Sequence, residues 1–274
     1  MRKALVLSGG GARGAAHVGA IKALEEAGYI PDLIVGISIG AVVGAGYALL
    51  GDAEVLWKFS RRIYVRALKW FPFDFSALNH RYNPLIARFG CWYMSSRVSA
   101  LPSWIYFRIF RQYLKDFKFE DTKVEFHCLA CDLYTGENVL ISSGKISDAV
   151  EASMSIPGIF PPIESGGRLL VDGGTLNNLP VAVARELGAE YVVAIDLSGE
   201  NKAVEIPGTS NQILSLIDEM ITEKLSVFWK EGINYLITPP VSHVNTFEFK
   251  KSIELMEASY AHVKKQLQRR KIEV

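Results

Sequence analysis

Two short apolar runs near the start of the chain each end in a glycine-rich turn and each feed an apolar helical pattern. Lys3 to Leu7 runs into Ser8-Gly9-Gly10-Gly11-Ala12-Arg13-Gly14 and then Ala15 to Ala27. Leu33 to Ile37 runs into Ser38, inside Gly36-Ile37-Ser38-Ile39-Gly40, and then Ala41 to Leu50. Strand, turn and helix twice over make a βαβα start, which constrains the chain to an α/β fold with a mostly parallel central sheet.

The alternation resumes downstream. Val124 to Leu133 and Asn138 to Ser142 read as strands joined by a turn at Thr135-Gly136, and Ser147 to Ser155 as a short helix stopped by Pro157. Arg168 to Val171 is a strand ending in Asp172-Gly173-Gly174, Val181 to Leu187 a helix, and Tyr191 to Leu197 another strand. Tyr235 to Thr238 reads as a last strand and Ser252 to Arg270 as a long helix with a basic end, as its dipole favours. With 274 residues, one domain spanning 1–274 is expected.

Two stretches invite other readings. Leu33 to Gly51 carries no charge, and Gly36, Gly40 and Gly44 give it the small-residue spacing of paired membrane helices. The serine turn inside it and Pro31 before it favour a buried strand handing over to a buried helix. Met1-Arg2-Lys3 followed by Ala4 to Leu7 looks like the opening of a signal peptide, but the apolar run stops at Ser8 and three glycines. A buried first strand is expected there. Cys91, Cys128 and Cys131 are too few for a disulfide framework and point to a reducing, cytoplasmic setting. Cys128-x-x-Cys131 has no second pair to complete a zinc site.

Chemistry concentrates in the turns. A G-x-S-x-G frame between strand and helix is the setting of a nucleophile elbow, where glycines on either side of Ser38 relieve the crowding of a strained turn. The loop after the first strand aims backbone N–H groups at an anion. Gly9, Gly11 and Gly14 satisfy G-x-G-x-x-G, yet the acid here, Asp32, precedes the second strand instead of ending it, so a dinucleotide reading fails. A Walker loop fails because Ala15 and Ala16 follow Gly14. The remaining anion is the oxyanion formed when Ser38 attacks a carbonyl. Candidate contributors are Gly9, Gly10, Gly11, Arg13, Gly14 and Ile39, with Arg13 also suited to a substrate phosphate.

Ser38 needs a base. A triad of Ser38, Asp172 and His243 has the usual order along the chain and stays open. His17, His80, His127 and His262 read as packing or surface residues.

Taken together, Gly-Gly-Gly-Ala-Arg-Gly, Gly-Ile-Ser-Ile-Gly and Asp-Gly-Gly in this order resemble the patatin-like phospholipase family, most closely its short bacterial members. Ser153 to Pro162 and Asn177 to Pro180 resemble that family's segments too, and the likeness runs from Lys3 to about Leu197. The resemblance implies a three-layer α/β/α sandwich, no metal or other cofactor, and a Ser38–Asp172 dyad that cleaves ester bonds in phospholipids, lysophospholipids or related lipids. A regulatory or scaffolding protein retaining the fold is the rival reading, against which the intact Ser38, Asp172 and glycine loop argue.

Leu56 to Phe119 interrupts the α/β alternation. Its Lys and Arg residues, from Lys58 to Lys118, are opposed only by Asp74 and Asp116, and it holds Trp57, Trp70, Trp92 and Trp104 of the chain's five tryptophans. It reads as a cap or lid insertion. Its basic face is either plainly solvated or an interfacial surface, with cations for anionic headgroups and rings for the headgroup boundary. Trp57, Arg61, Arg62, Arg66 and Trp70 are the candidates for that peripheral membrane contact. No motif for nucleic acid accompanies the patch. The oligomeric state is left open.

Overall fold

The computed structural model describes residues 1–70, 99, 111–198, 210–246 and 248–272, without the side chains of 67–70, 210–212, 214–216 and 218–219. His80, Cys91, Trp92 and Trp104, and the side chain of Trp70, therefore lie outside the described residues.

The opening elements are β1 (Lys3–Leu7), α1 (Ala15–Glu26), β2 (Leu33–Ile37), α2 (Ile39–Leu50) and α3 (Ala53–Trp70). They are followed by β3 (Glu125–Asp132), β4 (Glu137–Ile141), α4 (Ile146–Ser153), β5 (Ile163–Ser165) and β6 (Arg168–Asp172). The chain closes with α5 (Val181–Glu186), β7 (Tyr191–Ile195), α6 (Ser210–Trp229), β8 (Tyr235–Ile237) and α7 (Ser252–Arg269).

The strands form one eight-stranded sheet in the order β5-β6-β3-β2-β1-β7-β8, with β4 beside β3. Neighbours from β3 to β8 run parallel, while β4, β5 and β6 pair antiparallel. Side chains alternate across the pleat. Leu5, Leu7, Ile34, Val193 and Ile195 enter a core shared with α1, α2, α4 and α7, whereas Ala4, Val6, Leu33, Val35, Val192 and Ala194 face Val181 and Ala184 of α5. Both faces of the central strands are thus covered, giving the α/β/α sandwich. That explains why these strands are apolar throughout rather than alternating.

The uncharged stretch from Leu33 to Gly51 is β2 followed by α2, which Gly51 stops in the left-handed conformation at φ 64°. No helix among the described residues is long and apolar enough to cross a membrane. The first apolar run is β1, buried at the centre of the sheet. Helix α6 and the short strand β5 fall where the sequence pattern assigns no element.

The edges of β3 set up the site. Cys128 and Leu129 pair with β2 and also with β4, so those two strands occupy opposite edges of β3. Ala130 to Asp132 pair with β4 and with β6, so β6 lies on the edge that β2 occupies lower down. β2 runs parallel to β3 and ends opposite Leu129, and β6 runs antiparallel and ends opposite Ala130. The two strands therefore meet end to end. Ser38 follows the last residue of one, and Asp172 is the last residue of the other.

Candidate active site

Ser38 stands at φ 54° and ψ −124°, and among the described residues no other non-glycine residue has positive φ. Such a conformation persists only when its surroundings over-determine it. A Cβ at Gly36 would lie 2.6 Å from the Gly40 carbonyl oxygen, and one at Gly40 would lie 2.4 Å from that of Leu7. Both glycines are required by close backbone approach, as expected of an elbow.

Asp172 is 6% exposed and Ser38 5% exposed, and the Ser38 hydroxyl lies near enough across the junction of the two strands to act on the Asp172 carboxyl. The Asp172 carboxylate accepts the Gly174 N–H at 2.8 Å. Burial pushes the carboxyl up to about 6, against the neighbouring Ser38 hydroxyl and the Gly174 N–H, which favour the charged form. A group held there is still mostly ionised at neutral pH and is a better proton acceptor than an ordinary aspartate.

The glycine loop abuts the elbow: a Cβ at Gly9 would lie 3.3 Å from that of Ser38. Its six candidate contributors divide by what already holds them. The Gly9 N–H donates to Asn178 Oδ1 at 3.1 Å, and Arg13 Nε donates to the Val244 carbonyl at 2.7 Å. Gly14 serves packing, since a Cβ there would come within 2.1 Å of the Ile39 side chain. The neighbouring Ala12 N–H donates to the Thr246 carbonyl at 2.7 Å. Gly10 and Gly11 remain, together with Ile39, whose N–H opens α2 and has no carbonyl one turn back to bond. Among the described residues, these three are the candidates whose N–H groups have no hydrogen-bond partner.

Anchors that the sequence reading passed over hold this loop in place. Ser8 Oγ accepts the Leu197 N–H at 2.9 Å, and the Ser8 carbonyl accepts from His17 Nε2 at 2.8 Å. His17 is fully buried, and burial pushes its pKa down to about 4, so it is a neutral packing residue that donates through Nε2. Asn178 falls within the Asn177 to Pro180 segment, where the family likeness was the available signal.

His243 and His127 have partners other than Ser38 and Asp172. His243 is exposed and meets Glu254 at 3.3 Å, and His127 bridges Ser142 and Glu125 on β3. Of the proposed membrane residues, Arg61, Arg62 and Arg66 are exposed on α3. Trp57 turns inward, edge-on to Tyr260 at 5.9 Å between ring centroids, and packs against the core. Cys128 and Cys131 are buried in β3, where packing is their role.

A fold with a nucleophile elbow, a facing glycine loop and a buried aspartate at a strand junction defines a class, and sequence comparison specifies it. Residues 5–185 match the family model described as patatin-like phospholipase. The chain belongs to that family. It is 33% identical over 97% of its length to lysophospholipase nte1 of Emericella nidulans and 28% identical over 95% to human patatin-like phospholipase domain-containing protein 6. It spans only 18% and 20% of those two relatives. Among solved structures, VipD of Legionella pneumophila shares the fold, with a TM-score of 0.56, 15% identity, and coverage of 98% of this chain and 67% of that one.

Proposed function

We propose that Ser38 and Asp172 form a catalytic dyad that hydrolyses carboxylic ester bonds of phospholipids, with lysophospholipids the favoured substrates. The observation that carries this reading is the buried Asp172 carboxyl at the strand end that meets Ser38, raised by burial to about 6. The name of the fungal relative, lysophospholipase, supports the substrate class.

In this mechanism Ser38 Oγ attacks the ester carbonyl carbon as its proton passes to Asp172. The N–H groups of Gly10, Gly11 and Ile39 stabilise the oxyanion. Collapse of the tetrahedral adduct breaks the bond to the alcohol oxygen, which takes the proton back from Asp172. Water then attacks the acyl-Ser38 ester, again giving its proton to Asp172, and the fatty acid leaves as Ser38 is reprotonated. No metal is required.

The proposal extends to 1–274 acting as one hydrolase domain, capped by the 56–119 stretch and resting on the anionic cytoplasmic face of a membrane through the basic face of α3. A fluorophosphonate probe tests the core of it: labelling of the native enzyme that is lost in Ser38→Ala is expected, and undiminished labelling of Ser38→Ala refutes it. Native enzyme should release fatty acid from lysophosphatidylcholine faster than from phosphatidylcholine in mixed micelles, and the reverse order would transfer the preference to diacyl lipid.

A further inference from the structure

The end of α4 and the loop after it touch the backbone of both members of the proposed dyad. The Ser38 N–H donates to Ser153 Oγ at 2.9 Å, and the Asp172 N–H donates to the Ser155 carbonyl at 2.9 Å. Ser153 and Ser155 are fully buried, and Ser155 Oγ is in turn tied to the Glu151 carbonyl at 2.9 Å. Three consecutive residues thus bridge the two strand ends that meet on β3.

We propose that Ser153 is a positioning residue: its hydroxyl oxygen holds the Ser38 N–H and so keeps the strained elbow in the geometry that aims Ser38 Oγ at the ester and at Asp172. This rests on the dyad reading above and deepens it. The physical reason lies in the turn. The Ser38 N–H lies one residue past the end of β2 and is bonded to the Ser153 hydroxyl, so inside the protein it depends on a side-chain acceptor. Without one, the turn relaxes toward a conformation that finds another partner, and Oγ moves with it. Misplacement by about 1 Å from a reactive geometry costs on the order of 100-fold in rate.

The segment carrying Ser153 is itself pinned. Glu151, one turn from the end of α4, is 4% exposed and binds the Arg111 guanidinium through Nε at 2.8 Å and through Nη2. Arg111 belongs to the basic 56–119 stretch, and Ser99 of the same stretch bridges Gly158 in the loop after α4. Arg111 and Ser99 of that stretch therefore meet α4 and the loop after it, the segment that holds Ser38 and Asp172.

The test uses a soluble p-nitrophenyl ester and the full chain. Ser153→Ala should lower kcat about 10- to 100-fold with KM within about twofold of native, because substrate binding does not involve Ser153. Ser153→Cys, nearly isosteric with a weaker acceptor, should fall between the two. A second readout separates positioning from a merely structural role. The Ser38 hydroxyl beside Asp172 favours the carboxylate, so a displaced Ser38 should move the acid limb of the kcat/KM profile upward from about 6. Native kcat and an unmoved acid limb in folded Ser153→Ala overturn the proposal. Where Ser153→Ala does not fold, Ser153→Cys decides, and native kcat there overturns it equally. Fluorophosphonate labelling keeps the two readings apart. Labelling that survives Ser38→Ala sinks the dyad, whereas Ser38-dependent labelling at native rate in the Ser153 variants sinks only the positioning role.

Discussion

The carboxyl edge of the sheet and the outer face of α3 put polar groups to opposite use. At the edge, Ser38 and Asp172 are almost wholly buried, and the surrounding backbone donors are assigned one by one to Asn178, Thr246, Ser153 and Ser155. On α3, Arg61 reaches Glu257 only at 4.0 Å and Arg66 reaches the Tyr113 hydroxyl at 3.5 Å, both in water. Exposed pairs of that kind are worth about 0–1 kcal/mol. The edge is therefore sensitive to single atoms, and the helix face responds to charge in bulk. Substitutions should divide accordingly.

The largest effect is expected at Asp172. Asp172→Asn cannot accept the serine proton, and kcat should fall by about 10²- to 10⁴-fold. The same change should stabilise the protein. The carboxyl's value rises from 3.8 unfolded to about 6 folded, so the stability tied to its protonated form is complete below 3.8 and is lost as pH rises through 6. At one unit per 1.36 kcal/mol, native protein at pH 7.5 carries a penalty of about 3 kcal/mol that the asparagine removes. Urea unfolding should show the variant more stable at pH 7.5 and level with native below pH 4; equal stability at both would mean that Asp172 is not buried as described. His243→Ala, changing a residue paired with Glu254, should keep activity within about twofold.

Next in size is the glycine loop. A Cβ at Gly11 would lie 2.3 Å from the Thr246 carbonyl oxygen, at φ 57°, so Gly11→Ala must shift the loop and its free N–H groups. Loss of an oxyanion donor lowers kcat by about 10²- to 10³-fold. KM should change little, because the donors bind the developing charge most strongly. If KM rises while kcat holds, with folding intact by melting temperature, the loop binds ground-state substrate instead.

A smaller effect is the pH dependence of the native enzyme. Because the dyad needs Asp172 ionised, kcat/KM should fall about tenfold per pH unit below about 6 and level off above it. A limb centred near 4 would mean that the carboxyl is solvated during turnover.

What could be read from the sequence was local. The elbow and the glycine loop are legible because the demand for glycine arises within a few residues, at Gly36, Gly40 and Gly11. The buried strands are legible because their apolar runs end at those turns. That Asp172 faces Ser38 is not local: it depends on β6 pairing antiparallel with the upper half of β3, and only the family likeness pointed to it. The anchors Ser153, Asn178, Val244 and Thr246 were invisible as anchors for the same reason, since each meets its partner across a long stretch of chain. α6 was legible but passed over: Ile213, Ile217, Met220 and Ile221 recur at helical spacing, although all four are exposed in the structure. Trp57 was assigned outward for its neighbours' charge, but its position on α3 turns it toward Tyr260 and the core.

The smallest effect is expected on α3, where the question is membrane contact rather than catalysis. Arg61, Arg62 and Arg66 are exposed, and they sit within about one and a half turns of the helix. Such residues near an anionic surface contribute about 1 kcal/mol each, screened over a Debye length of about 8 Å at physiological salt. Since exposed arginines on a curved face do not all reach the surface together, Arg61→Glu/Arg62→Glu/Arg66→Glu should weaken binding to phosphatidylserine-containing vesicles about tenfold at low salt. The difference should shrink at high salt and be absent on neutral vesicles. Hydrolysis of a soluble ester should persist, because the substitutions leave Ser38, Asp172 and the glycine loop in place. Equal sedimentation of both proteins with both kinds of vesicle would return this face to ordinary solvated charge, and a parallel loss of soluble-ester hydrolysis would mean that α3 supports the edge it was contrasted with.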